Sequence, residues 1–169
     1  MNDREPAPGA LALVAALVNT LNTEAGTDAL DTPEGRAPFG VAAADAPAAR
    51  ELRESLRAAC LAHAGHPPHR EVTPLDELLA RAPLRVAVDA DDGSARLVPV
   101  DEDALASRVA AAIAEADAAG TWSRLKACEA DDCHWVYYDR SPAGRGRWCD
   151  MAVCGARAKM RRYRARSQR

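Results

Sequence analysis

The sequence has little of what a large apolar core or a membrane span requires. Aromatic residues make up 4 % of its 169 positions, with a single phenylalanine, and 39 of its apolar residues are alanine. The apolar run at residues 11–18 falls far short of the roughly 20 residues that a membrane-spanning helix needs. Residues 1–6 are polar and lack the features of a secretory signal. We therefore expect a cytoplasmic protein without a membrane partner.

Charge is unevenly distributed along the chain. Residues 1–120 carry 20 acidic and 10 basic side chains, whereas residues 121–169 carry 5 acidic and 12 basic ones. Six of the seven aromatic residues and four of the five cysteines also follow residue 120. Such asymmetry is typical of a basic partner-binding module joined to a different domain. The sequence therefore predicts two domains, 1–120 and 121–169.

Apolar spacing predicts a mainly helical first domain. The predicted helices are residues 9–22, 46–64 and 101–119, with a loop at 26–40. Thr73 and Pro74 predict the N-cap and first position of another short helix. Alternating apolar residues predict a β-hairpin of residues 84–88 and 96–100. The Arg and Glu residues of the helix at 46–64 are expected on its surface.

The first domain offers few candidates for chemistry. His63, His66 and His69 recur every third residue beside prolines, and we expect solvated loop side chains rather than metal ligands. Cys60 lies on an apolar helical stripe and is expected in the core rather than as a reactive thiol. The domain has no Gly-rich phosphate loop and no nucleophile elbow. We therefore expect no enzyme activity.

Four cysteines in the last part of the chain form two matched pairs. Cys128 and Cys133 make a C-x4-C motif, and Cys149 and Cys154 make another after fifteen intervening residues. In a cytoplasmic chain this pattern predicts one structural Zn²⁺ with four sulfur ligands and no site for water. Disulfides would need an oxidising compartment. Another metal, a redox use, and coordination by His134 in place of a cysteine are the alternatives.

Elements around the cysteines predict a small zinc finger. Residues 135–138 are β-prone, residues 141–144 form a turn, residues 145–148 can return antiparallel, and a helix fits residues 151 to about 166. The fold class is therefore α+β and mainly helical. An N-terminal helical domain with one β-hairpin precedes a treble-clef-like zinc finger of knuckle, β-hairpin and helix.

The carboxy-terminal helix is the predicted binding element. Seven of the final thirteen residues are basic and none is acidic, which suits contacts with phosphates. The candidates are Arg157, Lys159, Arg161, Arg162, Arg164 and Arg166, with Arg145 and Arg147 before them. An apolar row of Val153, Ala156, Met160 and Tyr163 is expected to face the zinc hairpin. A solvated tail that neutralises the acidic domain is the alternative, and a membrane-surface helix is disfavoured because bulky apolar residues are few.

The spacing Cys128-x4-Cys133-x-Trp135, followed by the run RWCDMAVCGARAK at residues 147–159, resembles the CGNR zinc finger of bacterial proteins. The resemblance covers about residues 121–166. Ala156 stands where the motif has asparagine, whereas the motif arginine is present as Arg157. In that family the finger follows a domain called ABATE, linked to stress-induced transcription regulation. The segment VNTL at residues 18–21 is similar to its early Asn-Thr signature.

The resemblance implies a zinc-dependent transcriptional regulator that binds double-stranded DNA. The residues themselves leave RNA binding open, and also an adaptor whose basic module docks on an acidic protein or on its own acidic domain. For the helical domain they do not choose between forming a homodimer and sensing a small-molecule effector.

Overall fold

Helices make up most of the regular structure of the protein. The computed structural model describes residues 5–167, so the predicted polar residues 1–4 and the basic Arg169 lie outside the described residues. The helices are Leu11–Val18 (α1), Pro33–Arg36 (α2), Ala46–His63 (α3), Leu75–Leu79 (α4), Leu105–Ala118 (α5) and Ala156–Ser167 (α6). A π-helical turn at Met151–Gly155 leads into α6. None of the helices within residues 5–167 is long and apolar enough to cross a membrane.

Short strands form three separate antiparallel hairpins. The strands are Leu21–Asn22 (β1), Thr27–Asp28 (β2), Leu84–Val88 (β3), Ala95–Pro99 (β4), Leu125–Ala127 (β5) and Val136–Tyr138 (β6). They pair as β1–β2, β3–β4 and β5–β6. The β3–β4 pair confirms the predicted hairpin, and the mixed, mainly helical architecture confirms the predicted α+β class.

Two of the predicted helices begin later in the structure than the sequence indicates. Gly9 has a left-handed φ of 53°, and α1 begins after it, at Leu11. Asp101 accepts the backbone N–H groups of Asp103 and Ala104 at 3.0 and 3.1 Å. This turn delays the start of α5 to Leu105, four residues later than predicted.

The predicted cap of α4 is wrong. Thr73 does not cap the helix, because its hydroxyl donates to Glu51 Oε1 of α3 at 2.5 Å. Pro74 occupies the N-cap position, and no side chain there makes a capping hydrogen bond. Thr73 instead ties the chain before α4 to α3.

Helices α1, α3 and α5 enclose a hydrophobic core that reaches across residue 120. Leu17 of α1, Leu56 of α3 and Val109 of α5 are completely buried in it. Leu125 and Val136 of the β5–β6 hairpin lie in the same cluster. The hairpin therefore packs directly on the helices. The domain boundary at residue 120 stays a prediction.

Cys60 also lies in this core and is completely buried, which confirms the predicted core role. Burial raises the pKa of its thiol to about 12. The thiol therefore stays protonated at neutral pH.

Helix α3 buries three charged side chains, and for these three the expectation that the Arg and Glu residues lie on the surface is wrong. Arg53, Glu54 and Arg57 are each at most 4 % exposed. Glu54 accepts from both arginines at 2.8 and 2.7 Å, and Arg57 also donates to the Val18 carbonyl at 2.7 Å. Buried charges require such partners, because desolvation of an unpaired ion is costly.

Candidate metal centre

The four cysteine sulfurs of the C-x4-C pairs come together at one point. The Sγ atoms of Cys128, Cys133, Cys149 and Cys154 all lie within 4.8 Å of one another. Cys149 Sγ lies 3.6 Å from Cys133 Sγ and 3.7 Å from Cys154 Sγ. Tetrahedral zinc with Zn–S bonds of about 2.3 Å requires sulfur–sulfur distances of roughly 3.8 Å. The cluster therefore has the dimensions of a four-sulfur zinc site.

The first pair sits on a knuckle at the end of the β5–β6 hairpin. Cys128 follows β5 directly, and its N–H donates to the Trp135 carbonyl at 2.9 Å. Cys133 donates its N–H to the Ala130 carbonyl at 2.9 Å, which closes a tight turn. His134 then adopts a left-handed φ of 51°. These bonds turn the chain back into β6 and point both sulfurs to one side.

The second pair lies beside the entrance to α6. Asp150 accepts the N–H groups of Ala152 and Val153 at 2.7 and 3.0 Å, which caps the π-helical turn that carries Cys154. The start of a helix favours a thiolate, because free N–H groups and the helix dipole stabilise negative charge. Cys149 precedes this cap by one residue.

The predicted partner of β6 is wrong. Residues 145–148 do not form a strand, and β6 pairs with β5 in the register that places Leu125 opposite Tyr138. A backbone bond from Glu129 N–H to the Arg147 carbonyl, at 3.1 Å, links the 145–148 segment to the knuckle. This bond brings Cys149 to the site without a second hairpin.

The four thiols lie so close together that their joint ionisation depends on a cation. Hydrogen bonds from Cys133 and Cys149 lower the pKa of Cys128. The bond donated to Cys128 raises the pKa of Cys133, and the pKa values of Cys149 and Cys154 are raised as well. One thiolate therefore opposes the ionisation of its neighbours. A soft divalent cation such as Zn²⁺ removes this conflict by stabilising all four thiolates, so the residues fit the predicted metal.

Two family models match adjoining parts of the chain. The model described as CGNR zinc finger matches residues 124–167. The model named ABATE, described as Putative stress-induced transcription regulator, matches residues 11–120. The chain belongs to the ABATE family. A search of curated proteins gives no match. Both expected resemblances are confirmed, and we refer to the matched residues 11–120 as the ABATE domain and to residues 124–167 as the CGNR finger.

Asn19, of the Asn-Thr segment, joins the ABATE domain to the CGNR finger. Its side-chain amide donates to the Val136 carbonyl and accepts the Val136 N–H, both at 2.8 Å. Thr23 adds a second tie close to the metal centre, because its hydroxyl donates to the Cys133 carbonyl at 2.6 Å. The ABATE domain therefore holds both β6 and the knuckle.

Histidines of the ABATE domain also contact the CGNR finger, so the expectation of solvated loop side chains is wrong for the half-buried His63 and His66, whereas His69 is exposed in a loop. The contacts are His63 Nδ1 to the Leu125 carbonyl (2.8 Å), His66 Nε2 to Glu129 Oε1 (3.0 Å) and the ring of His69 beside that of His134 (5.1 Å between centroids). His134 is outside the sulfur cluster. The recurrence every third residue therefore reflects docking between the two parts of the chain.

A buried ion pair stabilises the CGNR finger, and it is absent from the features predicted from the sequence. Lys126 Nζ lies 3.0 Å from Asp139 Oδ2, and the carboxylate also accepts the N–H groups of Ser141 and Gly146 at 3.0 and 2.7 Å. Burial alone would raise the pKa of Asp139, but these hydrogen bonds hold it at about 2. An aspartate two residues before a turn serine was the available signal.

Two of the predicted phosphate-binding arginines are held within the chain. Arg147 forms a two-point ion pair with Glu129, at 2.7 Å from Nε and 2.6 Å from Nη2. Arg157, the motif arginine, lies 2.7 Å from Glu24 of the ABATE domain and 3.8 Å from Asp132. Arg147 therefore joins the segment before Cys149 to the knuckle within the CGNR finger, and Arg157 joins α6 to the ABATE domain.

The other predicted contact residues are exposed and concentrated on α6. They are Arg145, Lys159, Arg161, Arg162, Arg164 and Arg166. Within α6, Ala158 is the buried residue. The expectation that the apolar row faces the zinc hairpin is wrong, because Val153, Met160 and Tyr163 are 44 %, 51 % and 66 % exposed. Ala156, in place of the motif asparagine, is exposed as well.

Proposed function

We propose that the protein is a DNA-binding transcriptional regulator that presents α6 of its CGNR finger to double-stranded DNA. The observation that carries this proposal is the exposure of five basic residues on a helix without an acidic one, which contacts the rest of the chain through the buried Ala158 and the ion pair of Arg157. A helix of this charge attracts the phosphates of nucleic acid and releases their counterions.

The side chains around α6 are arranged in a way that suits a major groove. Successive helical residues differ by about 100° in direction. An apolar row of Ala156, Met160 and Tyr163 is therefore flanked on one side by a first basic row and on the other by a second. The first basic row is Arg161 and Arg164, which follow the internally paired Arg157, and the second is Lys159, Arg162 and Arg166.

A major groove about 12 Å wide admits an α-helix, with phosphates along both edges and thymine methyl groups on its floor. In our proposal the two basic rows contact the two phosphate strands, and the apolar row faces the bases. RNA duplexes suit this helix less well, because their major groove is deep and narrow.

In this proposal the role of zinc in the protein is structural. Cys128, Cys133, Cys149 and Cys154 would hold the ion and thereby fix the turn from which α6 projects. Four sulfur ligands leave no coordination position for a water molecule, so we assign the site no catalytic step. We place this activity in the cytoplasm, where thiols stay reduced.

Binding of the zinc-loaded full chain to a fluorescent DNA duplex tests the proposal. The variant Arg161→Gln with Arg164→Gln removes two exposed charges from α6. We expect it to weaken binding and to reduce the slope of log K against log salt by about 2. The control, Arg81→Gln with Arg96→Gln, removes two exposed charges from the ABATE domain and should bind normally.

If the protein binds neither duplex DNA nor RNA at low salt, the proposal is overturned. Binding that survives nuclease treatment and is directed at an acidic protein would favour the adaptor. Stronger retention of single-stranded RNA than of DNA would change the assigned partner.

A further inference from the structure

The β3–β4 hairpin leaves one apolar face uncovered. Val86, Val88 and Leu97 are 62 %, 65 % and 48 % exposed. They share one face, because side chains alternate along a strand and the register places Val86 opposite Leu97. Ala87 and Val98 on the opposite face are partly buried, and α5 contacts β4. The hairpin is thus packed on the protein from one side only.

The outer edge of β3 is also unpaired. Asp89 N–H donates to the Ser94 carbonyl at 2.8 Å, and Val100 N–H donates to the Pro83 carbonyl at 3.1 Å. Inward bonds alternate along an antiparallel strand, so residues 83, 85, 87 and 89 face β4 and residues 84, 86 and 88 face outward. Over residues 5–167 the only strand beside β3 is β4. An open edge of this kind is a template for another strand.

We propose that the protein forms a homodimer in which β3 pairs antiparallel with β3 of a second copy, about a two-fold axis at Ala87. This partner is separate from the DNA of the proposed function. In this register Val86 lies opposite Val88 of the second copy, and Arg85 lies opposite Asp89 of the second copy. The two hairpins together make a four-stranded sheet.

Charge complementarity favours a second copy of the chain as the partner of β3, and it fixes the register of the pairing. A two-fold interface is self-complementary, so each contact occurs twice, and one strand here supplies both the cation and the anion. A shift of the axis to Val86 would place Arg85 opposite Ala87. A shift to Val88 would place it opposite Asp91, in the turn beyond the end of β3. The axis at Ala87 pairs opposite charges where the ladder still continues, because Asp89, one residue past the end of β3, donates its N–H to the Ser94 carbonyl at 2.8 Å.

The dimer also accounts for the exposed valines. β-branched side chains directly opposite each other stabilise an antiparallel pair. Val86 and Val88 of the two copies would form one continuous row, flanked by Leu97 from each hairpin. Each dimer would carry two copies of α6.

Sedimentation equilibrium of the zinc-loaded full chain over a range of concentrations tests the dimer. We expect a dimer for the wild type and a monomer for Val86→Lys, because the two substituted lysines would lie close together at the paired edge. Val100→Lys is the matched control. Val100 is 56 % exposed but lies beyond the end of β4, and its substitution should leave the dimer intact. Circular dichroism checks that each variant is folded.

A charge exchange tests the register. Arg85→Glu and Asp89→Lys should each weaken the dimer about tenfold, since each removes two cross-strand ion pairs and creates like-charge contacts. Asp89→Lys also removes the turn hydrogen bond that Asp89 Oδ1 accepts from Asp91 N–H at 2.9 Å, so Arg85→Glu isolates the effect of the ion pairs. The double variant should restore the wild-type dissociation constant. A wild type that is monomeric at every concentration would overturn the proposal. So would a dimer that neither Val86→Lys nor the charge exchange affects.

Discussion

Asn19 and Val136 exchange two hydrogen bonds of 2.8 Å across the junction between the ABATE domain and the CGNR finger. Asn19 lies just beyond α1, where it is the C-cap residue, and Val136 begins β6. The amide side chain therefore makes the two hydrogen bonds that a neighbouring strand would make to Val136 of β6. This pairing gives a physical role to an asparagine that the sequence marks only by its similarity to a family signature.

The substitution Asn19→Ala should destabilise the protein by about 1–3 kcal/mol. It leaves both backbone groups of Val136 without their partner in a partly buried place, and such groups carry the cost of lost hydration. Denaturant unfolding monitored by tryptophan fluorescence measures the effect. Asn22→Ala is the control, because Asn22 is exposed and makes a local turn bond to Ala25 N–H. Equal stability of the two variants would contradict a docking role for Asn19.

Removal of the metal should release the CGNR finger while much of the ABATE domain stays folded. We expect about one zinc ion per chain, lost on chelation or with Cys149→Ser, since a small metal module depends on its ion to fold. Hydrogen exchange should then accelerate in the 145–160 region and remain slow in α3. Cys60→Ala should keep its zinc, because Cys60 lies outside the sulfur cluster. Freshly purified protein without zinc would contradict the assignment.

Stability should depend on the buried carboxylate of Glu54. Burial raises its pKa, but the charge of Arg57 and the hydrogen bond from Arg53 outweigh burial and hold the pKa below its usual value. Its contribution is therefore complete above the unfolded value of 4.5 and is lost as the pH falls through the lower folded value.

Substitution tests the same group. Glu54→Gln should cost about 3 kcal/mol at pH 7, because it leaves the buried Arg57 without its counter-charge and leaves Arg53 with Asp28 alone. The substitution should also flatten the loss of stability below pH 4.5. Glu51→Gln, at an exposed position of the same helix, is the control. A Glu54 variant as stable as this control would show that the ion cluster does not support the fold.

Patterns that depend on near neighbours were predictable from the sequence. The two C-x4-C pairs place their sulfurs within 4.8 Å of one another, as expected for one zinc ion. The alternation at residues 84–99 forms its hairpin. The hairpin residues lie close together in the chain, and the zinc site consists of two local motifs whose repeated spacing is itself the signal.

Features that depend on distant partners were not predictable. Arg53 is buried because Asp28 and Glu54 receive it at 2.7 and 2.8 Å, and no helical pattern indicates an aspartate 25 residues away. Strand β5 is only three residues long, so its pairing with β6 leaves no recognisable alternation. The apolar row of α6 faces outward because Cys154 and Ala158 already attach the first turn.

We propose above that the protein regulates transcription by placing α6 on DNA. Sequencing of the DNA recovered after cross-linking and immunoprecipitation from cells, with an RNA control, tests this most directly. We predict enrichment at discrete DNA sites for the wild type, loss of that enrichment for the Arg161→Gln, Arg164→Gln variant, and retention for the Arg81→Gln, Arg96→Gln control. Enrichment of RNA instead, or no difference between the two variants, would contradict it.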